Sequence, residues 1–165
     1  MQARAKELAA SCRGSPPLEQ YPSSLNIDSQ GVDTMSIKRY GVEGGKGTGG
    51  QQLPFARAVE ADGWLYVSGQ VPMVNGEVVE GNIITQAHQA IRNLLAILKE
   101  AGYTAADVVR CGVWLDDARD FQSFNKVFRE YFGENPPARA CVQSSMVVDC
   151  KVEIDCVAYK KPDGK

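Results

Sequence analysis

The stretch that decides the architecture is IITQAHQAIRNLLAILKEAGYTAADVVRCGVWL, residues 83–115, where one apolar period gives way to another. Ala87, Ile91, Leu94, Leu95 and Leu98 recur at helical spacing from Ile83 to Ala101, and Gly102 follows as a C-terminal stop. Val109, Cys111, Val113 and Leu115 then alternate, which predicts a strand carrying all of them on one face. A helix feeding a strand is thus the central unit of the chain.

Upstream, Phe55–Glu60 and Trp64–Ser68 read as short strands around an Asp62-Gly63 turn, a hairpin signal. Met35 opens Ser-Ile-Lys-Arg-Tyr, a further strand. Downstream, a second helix starts behind Asp120, carries Phe121, Phe124, Phe128, Tyr131 and Phe132 on one side, and stops at Gly133. Ala138–Gln143 and Lys151–Tyr159 complete the chain as two more strands, the second alternating through Val152, Ile154, Cys156 and Ala158. The order β-ββ-α-β-α-ββ predicts an α+β two-layer sandwich, two helices on one face of a mixed sheet. The other face still carries apolar residues and no helix remains to cover it, so another subunit is the expected cover.

Composition excludes several classes. The 165 residues are 44% hydrophobic and 23% charged, with 18 basic against 20 acidic residues and a net charge of −2. That balance offers no excess to neutralise a phosphate backbone, so nucleic acid is not an expected partner. No uncharged run approaches the roughly 18 residues that span a bilayer, so neither is a membrane. Cys12, Cys111, Cys141, Cys150 and Cys156 are odd in number without CxxC spacing, and His88 is the single histidine. A zinc cluster has little to draw on, and free thiols place the chain in the cytoplasm.

Residues 1–34 read as a loose extension, or as an upstream start adding nothing to the fold, because turn formers replace large apolar residues there. Arg4, Lys6 and Arg13 are outnumbered by Glu7, Glu19, Asp28 and Asp33, against a transit peptide. The domain is then 35–165. Gly41–Gly50 mimics a phosphate loop, but Lys46 sits one residue early and is followed by Gly47, so a surface loop is expected.

Candidate chemistry lies on the last two strands. Arg139 and Cys141 are two apart and share a face, roughly 7 Å from each other. Glu153 points opposite to Val152 and Ile154. If those strands pair, Arg139 and Glu153 reach one another or flank a small ligand, whose carboxylate a guanidinium would grip with two parallel bonds. A structural cross-strand Arg–Glu pair is the alternative. His88 reads as a packing residue, and Asp116 and Asp117 as capping residues.

Several motifs, in this order, resemble the RidA (YjgF-type) family: Leu-Pro-Phe-Ala-Arg-Ala-Val (53–59), Val-Ser-Gly-Gln-Val-Pro (67–72), Asp-Phe-Gln-Ser-Phe-Asn (120–125), Pro-Pro-Ala-Arg-Ala-Cys-Val (136–142) and Lys-Val-Glu-Ile-Asp (151–155). The likeness runs from Pro54 to Tyr159. It implies a chorismate-mutase-like homotrimer with ligand clefts between adjacent subunits. It also implies hydrolysis of reactive 2-imino acids to 2-oxo acids and ammonia, without metal or organic cofactor. On that resemblance Arg139 binds the substrate carboxylate and Glu153 positions the attacking water. Cys141 is a cleft cysteine, Ser68 and Gly69 line the pocket, and Asn125 stands near it. Phe55 takes the place of a tyrosine found in many members, which keeps an aromatic wall and removes a hydroxyl. The alternatives are a specialised enamine or imine deaminase of a catabolic pathway, and a non-catalytic 2-oxo-acid-binding regulator. The endoribonuclease label given to the family has no support in the charge balance, and the Arg-Cys-Glu set lacks the histidine or metal usual for RNA cleavage.

Overall fold

The computed structural model describes residues 36–41 and 53–161; the expectations for residues 1–34 and for the glycine-rich stretch beyond Gly41 lie outside them. In chain order the elements are β1 (Ile37–Tyr40), β2 (Ala58–Ala61), β3 (Trp64–Gln70), β4 (Met73–Val74), β5 (Glu77–Val78), α1 (Ile83–Glu100), β6 (Val108–Leu115), α2 (Phe121–Phe132), β7 (Ala138–Gln143) and β8 (Val152–Tyr159). A 3₁₀ turn precedes β6 (Ala105–Asp107) and another precedes α2 (Ala118–Asp120). The main sheet runs β1-β2-β3-β8-β6-β7. Its pairs are antiparallel except β6–β7, which are parallel and joined through α2, as a parallel pair requires. The predicted α+β sandwich with a mixed sheet is the fold observed.

Turn chemistry sets the hairpins. Asp62 and Gly63 both have positive φ (50° and 80°), the geometry of a two-residue turn whose twist matches its strands. Asn75 and Gly76 do the same (53° and 87°) for the β4–β5 hairpin, which the sequence reading passed over although Asn-Gly is a strong turn signal. Asn82 caps α1, its side chain accepting from the N–H groups of Ile84 and Thr85 at 3.0 and 3.1 Å. Asp120, expected to cap α2, makes no side-chain bond; the 3₁₀ turn before α2 is capped instead by Asp117, which accepts from the Arg119 N–H at 2.8 Å.

The core lies between sheet and helices. Leu65, Ile91, Leu94, Leu115, Phe124 and Ile154 are fully buried there. Each such side chain stabilises the fold by about 1.5–3 kcal/mol relative to exposure. Val109 is not on the inward face as its alternation suggested. The β6–β8 register shifts between Val108 and Arg110, so Val108 is buried and Val109 is 42% exposed. From Cys111 onward the predicted alternation holds. Phe124, Phe128 and Phe132 are buried on α2, whereas Phe121 at its first turn is 38% exposed.

The opposite sheet face carries exposed aromatic residues that no helix among the described residues covers. Trp64 packs on Tyr159 with ring centroids 4.7 Å apart, and Tyr66 stands 52% exposed in the next row. Among the described residues no helix is long and apolar enough to cross a membrane.

Two side-chain amides, the half-buried Asn93 and the buried Gln86, tie α1 to the loops. Asn93 donates to the carbonyls of Val71 and Met73 at 3.0 and 2.9 Å. Gln86 donates to the Val79 carbonyl at 2.9 Å and accepts from the Lys151 N–H at 2.7 Å, which anchors the start of β8. Gln86→Leu keeps the volume and strands both backbone groups. We expect it to cost about 1–3 kcal/mol in urea unfolding. Unchanged stability would mean that water replaces the amide.

Candidate functional site

Register places the chemistry. Across the sheet Ala58, Val67, Cys156, Cys111 and Arg139 form one row, and all but Arg139 are buried against the helices. Facing residues share a side of the sheet, so Arg139 points to the helix layer. Its guanidinium lies 4.6 Å from the ring centroid of Phe128, 5.6 Å from Phe124 and 5.8 Å from Phe121. One amino group donates to Asn125 Oδ1 at 2.6 Å. The aromatic platform and the amide hold the guanidinium in one orientation and leave donors free. Arg139 also lines a cavity of about 490 Å³ together with Asn125, Phe128, Arg129, Phe132 and Pro137, and no carboxylate among the described residues lines it.

Cys141 follows two residues later on the same side, half-buried against the core. Burial pushes its thiol up and the Arg139 charge only partly offsets that, so the group is a neutral thiol and a weak nucleophile. The buried Cys111, pushed up to about 12, is still less reactive.

Glu153 belongs to a different row, paired through Trp114 to Val142, on the outer face of the sheet. The expectation that the strands of Arg139 and Glu153 pair is therefore corrected. β7 and β8 flank β6 on either side, and the two side chains leave opposite faces of the sheet. Within one chain they form neither a cross-strand pair nor a shared pocket. The physical reason is the parallel β6–α2–β7 crossover, which takes β7 to the sheet edge.

Glu153 has its own surroundings. Its Oε1 lies 1.8 Å from where a Cβ at Gly69 would stand, so a glycine there lets the carboxylate lie flat on β3. Burial raises its carboxyl above the ordinary value and the like charge of Asp155 adds to it. Asp155 itself accepts from the Gly112 N–H at 2.7 Å. Ser68, next to Gly69, donates its hydroxyl to the Ala56 carbonyl at 2.8 Å and its N–H to the Arg57 carbonyl at 3.0 Å. These bonds fasten the segment after Phe55 to β3. With its hydrogen so used, Ser68 can only accept from a ligand. Phe55 lies before β2 rather than within it and is 51% exposed.

Two residue clusters thus emerge: Arg139, Asn125 and Cys141 on the helix side, and Glu153, Gly69 and Asp155 on the outer side. Sequence reasoning missed Phe124 and Phe128 as a platform for Arg139, and Asp155 as the neighbour that raises Glu153. The Phe pair was legible only as a core face of α2, because its contact with Arg139 depends on sheet order. His88 is a packing residue as expected, its Nδ1 2.8 Å from the Tyr131 hydroxyl between the two helices. Asp117, held to about 2 by Arg119, serves as a cap.

Residues 50–160 match the family described as endoribonuclease L-PSP. A RutC family protein of Pyrococcus horikoshii is 41% identical over 111 residues, covering 66% of this chain and 88% of that protein. The human 2-iminobutanoate/2-iminopropanoate deaminase is 38% identical over 112 residues, covering 66% of this chain and 82% of that protein. The crystal structure of yeast Mmf1 superposes with a TM-score of 0.69 at 27% identity, covering 76% of this chain and all of the other. The motifs, the fold and these relatives agree: the chain belongs to the L-PSP, or YjgF/RidA, family.

Proposed function

We propose that this protein is a cofactor-independent deaminase that hydrolyses reactive 2-imino acids, such as 2-iminopropanoate and 2-iminobutanoate, to 2-oxo acids and ammonia. The observation that carries the reading is Arg139, a guanidinium oriented by Asn125 and three phenyl rings beside a cavity that no carboxylate among the described residues lines. Such a group suits the carboxylate of a 2-imino acid. The human relative, named for this reaction, supports the reading.

Since Arg139 and Glu153 leave opposite faces, they act together only where the helix-side edge of one copy meets the outer face of another. The exposed Trp64, Tyr66 and Tyr159 are apolar surface suited to such a contact. We infer a homotrimer with three equivalent clefts in the cytoplasm, a reducing compartment that suits the free thiols.

In that cleft Arg139 grips the carboxylate and presents the protonated imine carbon to a water resting on Glu153. The water oxygen bonds to C2 while Glu153 takes one of its protons, and the C=N π pair moves to nitrogen, giving a carbinolamine. Glu153 returns the proton to nitrogen. The C–N bond breaks as the hydroxyl oxygen forms the carbonyl, its proton leaving with ammonia as ammonium. One water is consumed and nothing is oxidised. Phe55 and Cys141 serve as cleft wall, with Gly69 giving the carboxylate room and Ser68 an acceptor. A regulator that only binds 2-oxo acids needs Arg139 but has no use for the raised Glu153 carboxyl, which favours the enzyme. Cleavage of RNA gains nothing from a net charge of −2, and the single imidazole is engaged by Tyr131 between the helices.

Losing a bidentate pair of charge-assisted bonds, at about 1.5–3 kcal/mol each, should nearly abolish hydrolysis of fresh 2-iminopropanoate by Arg139→Ala. Arg139→Lys should fail almost as badly, and Cys141→Ala should keep most activity. Equal rates for Arg139→Ala and wild type, both folded, would reduce Arg139 to a structural role.

The pH profile reports on Glu153. It must be ionised to act, and its carboxyl lies above the ordinary carboxylate range, so the acid limb of kcat/KM should fall at higher pH than about 4.3. Asp155→Asn keeps an acceptor for Gly112 and removes the like charge, so the limb should move to lower pH. Glu153→Gln should lose the limb and about 10²–10⁴-fold in rate. A limb that survives in Glu153→Gln belongs to another group.

A further inference from the structure

We propose that Arg129 is a specificity-determining residue: a second guanidinium that favours substrates whose side chain ends in a carboxylate. The inference rests on the reading of Arg139 as anchor of the 2-carboxylate and adds a second cation of the same cavity. Arg129 lines the same cavity of about 490 Å³ as Arg139. It stands one helical turn beyond Asn125, the residue that holds Arg139, so both α2 side chains leave the helix on one side with Cβ atoms about 5–6 Å apart.

Charge and lining agree with that role. Arg57 and Arg119 each have a carboxylate partner, whereas Arg129 makes no ion pair among the described residues. Apart from the two arginines and Asn125, the lining is mostly apolar, with Phe128, Phe132, Pro136 and Pro137. Arg129 also lines a neighbouring cavity with Glu130 and Glu134 without pairing to either, and Glu130 stands 3.9 Å from His88. A cavity lined by two guanidinium-bearing side chains and hydrocarbon suits a short dicarboxylate. The chemical class is the 2-imino acid derived from an acidic amino acid.

The stable 2-oxo acids serve as probes in calorimetric titration of the full chain. Wild type should bind 2-oxoglutarate about tenfold more tightly than 2-oxobutanoate, the low end for one charge-assisted hydrogen bond. Arg129→Gln should erase that ratio, Arg129→Lys should keep part of it, and Arg139→Ala should lose both ligands. A wild type without the preference, or an Arg129→Gln variant that retains it, overturns the inference while loss of both ligands in Arg139→Ala leaves the anchor standing. If wild type binds neither compound, the anchor reading falls and this inference with it.

Discussion

The insertion of β6 between β7 and β8 is the constraint on which the rest depends. β6 is paired on both edges, antiparallel to β8 and parallel to β7, and its residues from Cys111 to Leu115 alternate between the core and the outer face. That alternation passes to both neighbours through the register. It sends Arg139 into the helix layer with Cys111 and leaves Glu153 outside with Trp114. A slip of one residue in the β6–β8 pairing would bury Glu153 in place of Val152 and Ile154, and one in the β6–β7 pairing would turn Arg139 to the outer face. The core therefore enforces the site's geometry without touching a ligand.

Much of the fold was legible because local periods differ so sharply. The helical spacing through Leu98 and the alternation through Ala158 each specify an element and its buried side, and Asp62-Gly63 specifies a turn. What local pattern leaves open is which strands become neighbours. Arg139 and Glu153 sit on consecutive strands, and consecutive strands are paired more often than not. Here α2 returns the chain parallel to β6, and β8 then enters on the other side of β6. Val109 was misplaced for a related reason: a register irregularity at Val108 changes the parity of the strand, and nothing in the alternating residues marks it. The residue types of the candidate site were legible, but their surroundings were not. Phe124 and Phe128 reveal themselves as a guanidinium platform only once β7 lies under α2.

Orientation before binding is the physical theme on both faces. Arg139 carries a long side chain whose freedom would otherwise be lost on gripping a ligand; Asn125 and the phenyl rings have already restricted it. Glu153 rests where a glycine leaves room, beside Asp155, in surroundings that keep its carboxyl more basic than usual. A base that is partly desolvated accepts a proton from water more readily than a solvated carboxylate. Neither half suffices alone in the proposed reaction, since one supplies the grip and the other the water.

Subunit mixing tests that division most directly. Arg139→Ala and Glu153→Gln chains, each inactive alone, are unfolded together, refolded at equal ratio and assayed with freshly generated 2-iminopropanoate. If each cleft draws its arginine from one copy and its glutamate from another, random assembly restores about a quarter of the wild-type rate, carried by clefts that join the two intact residues. Recovery at that level is the expected result. No recovery from correctly assembled mixed oligomers would contradict a cleft shared between copies.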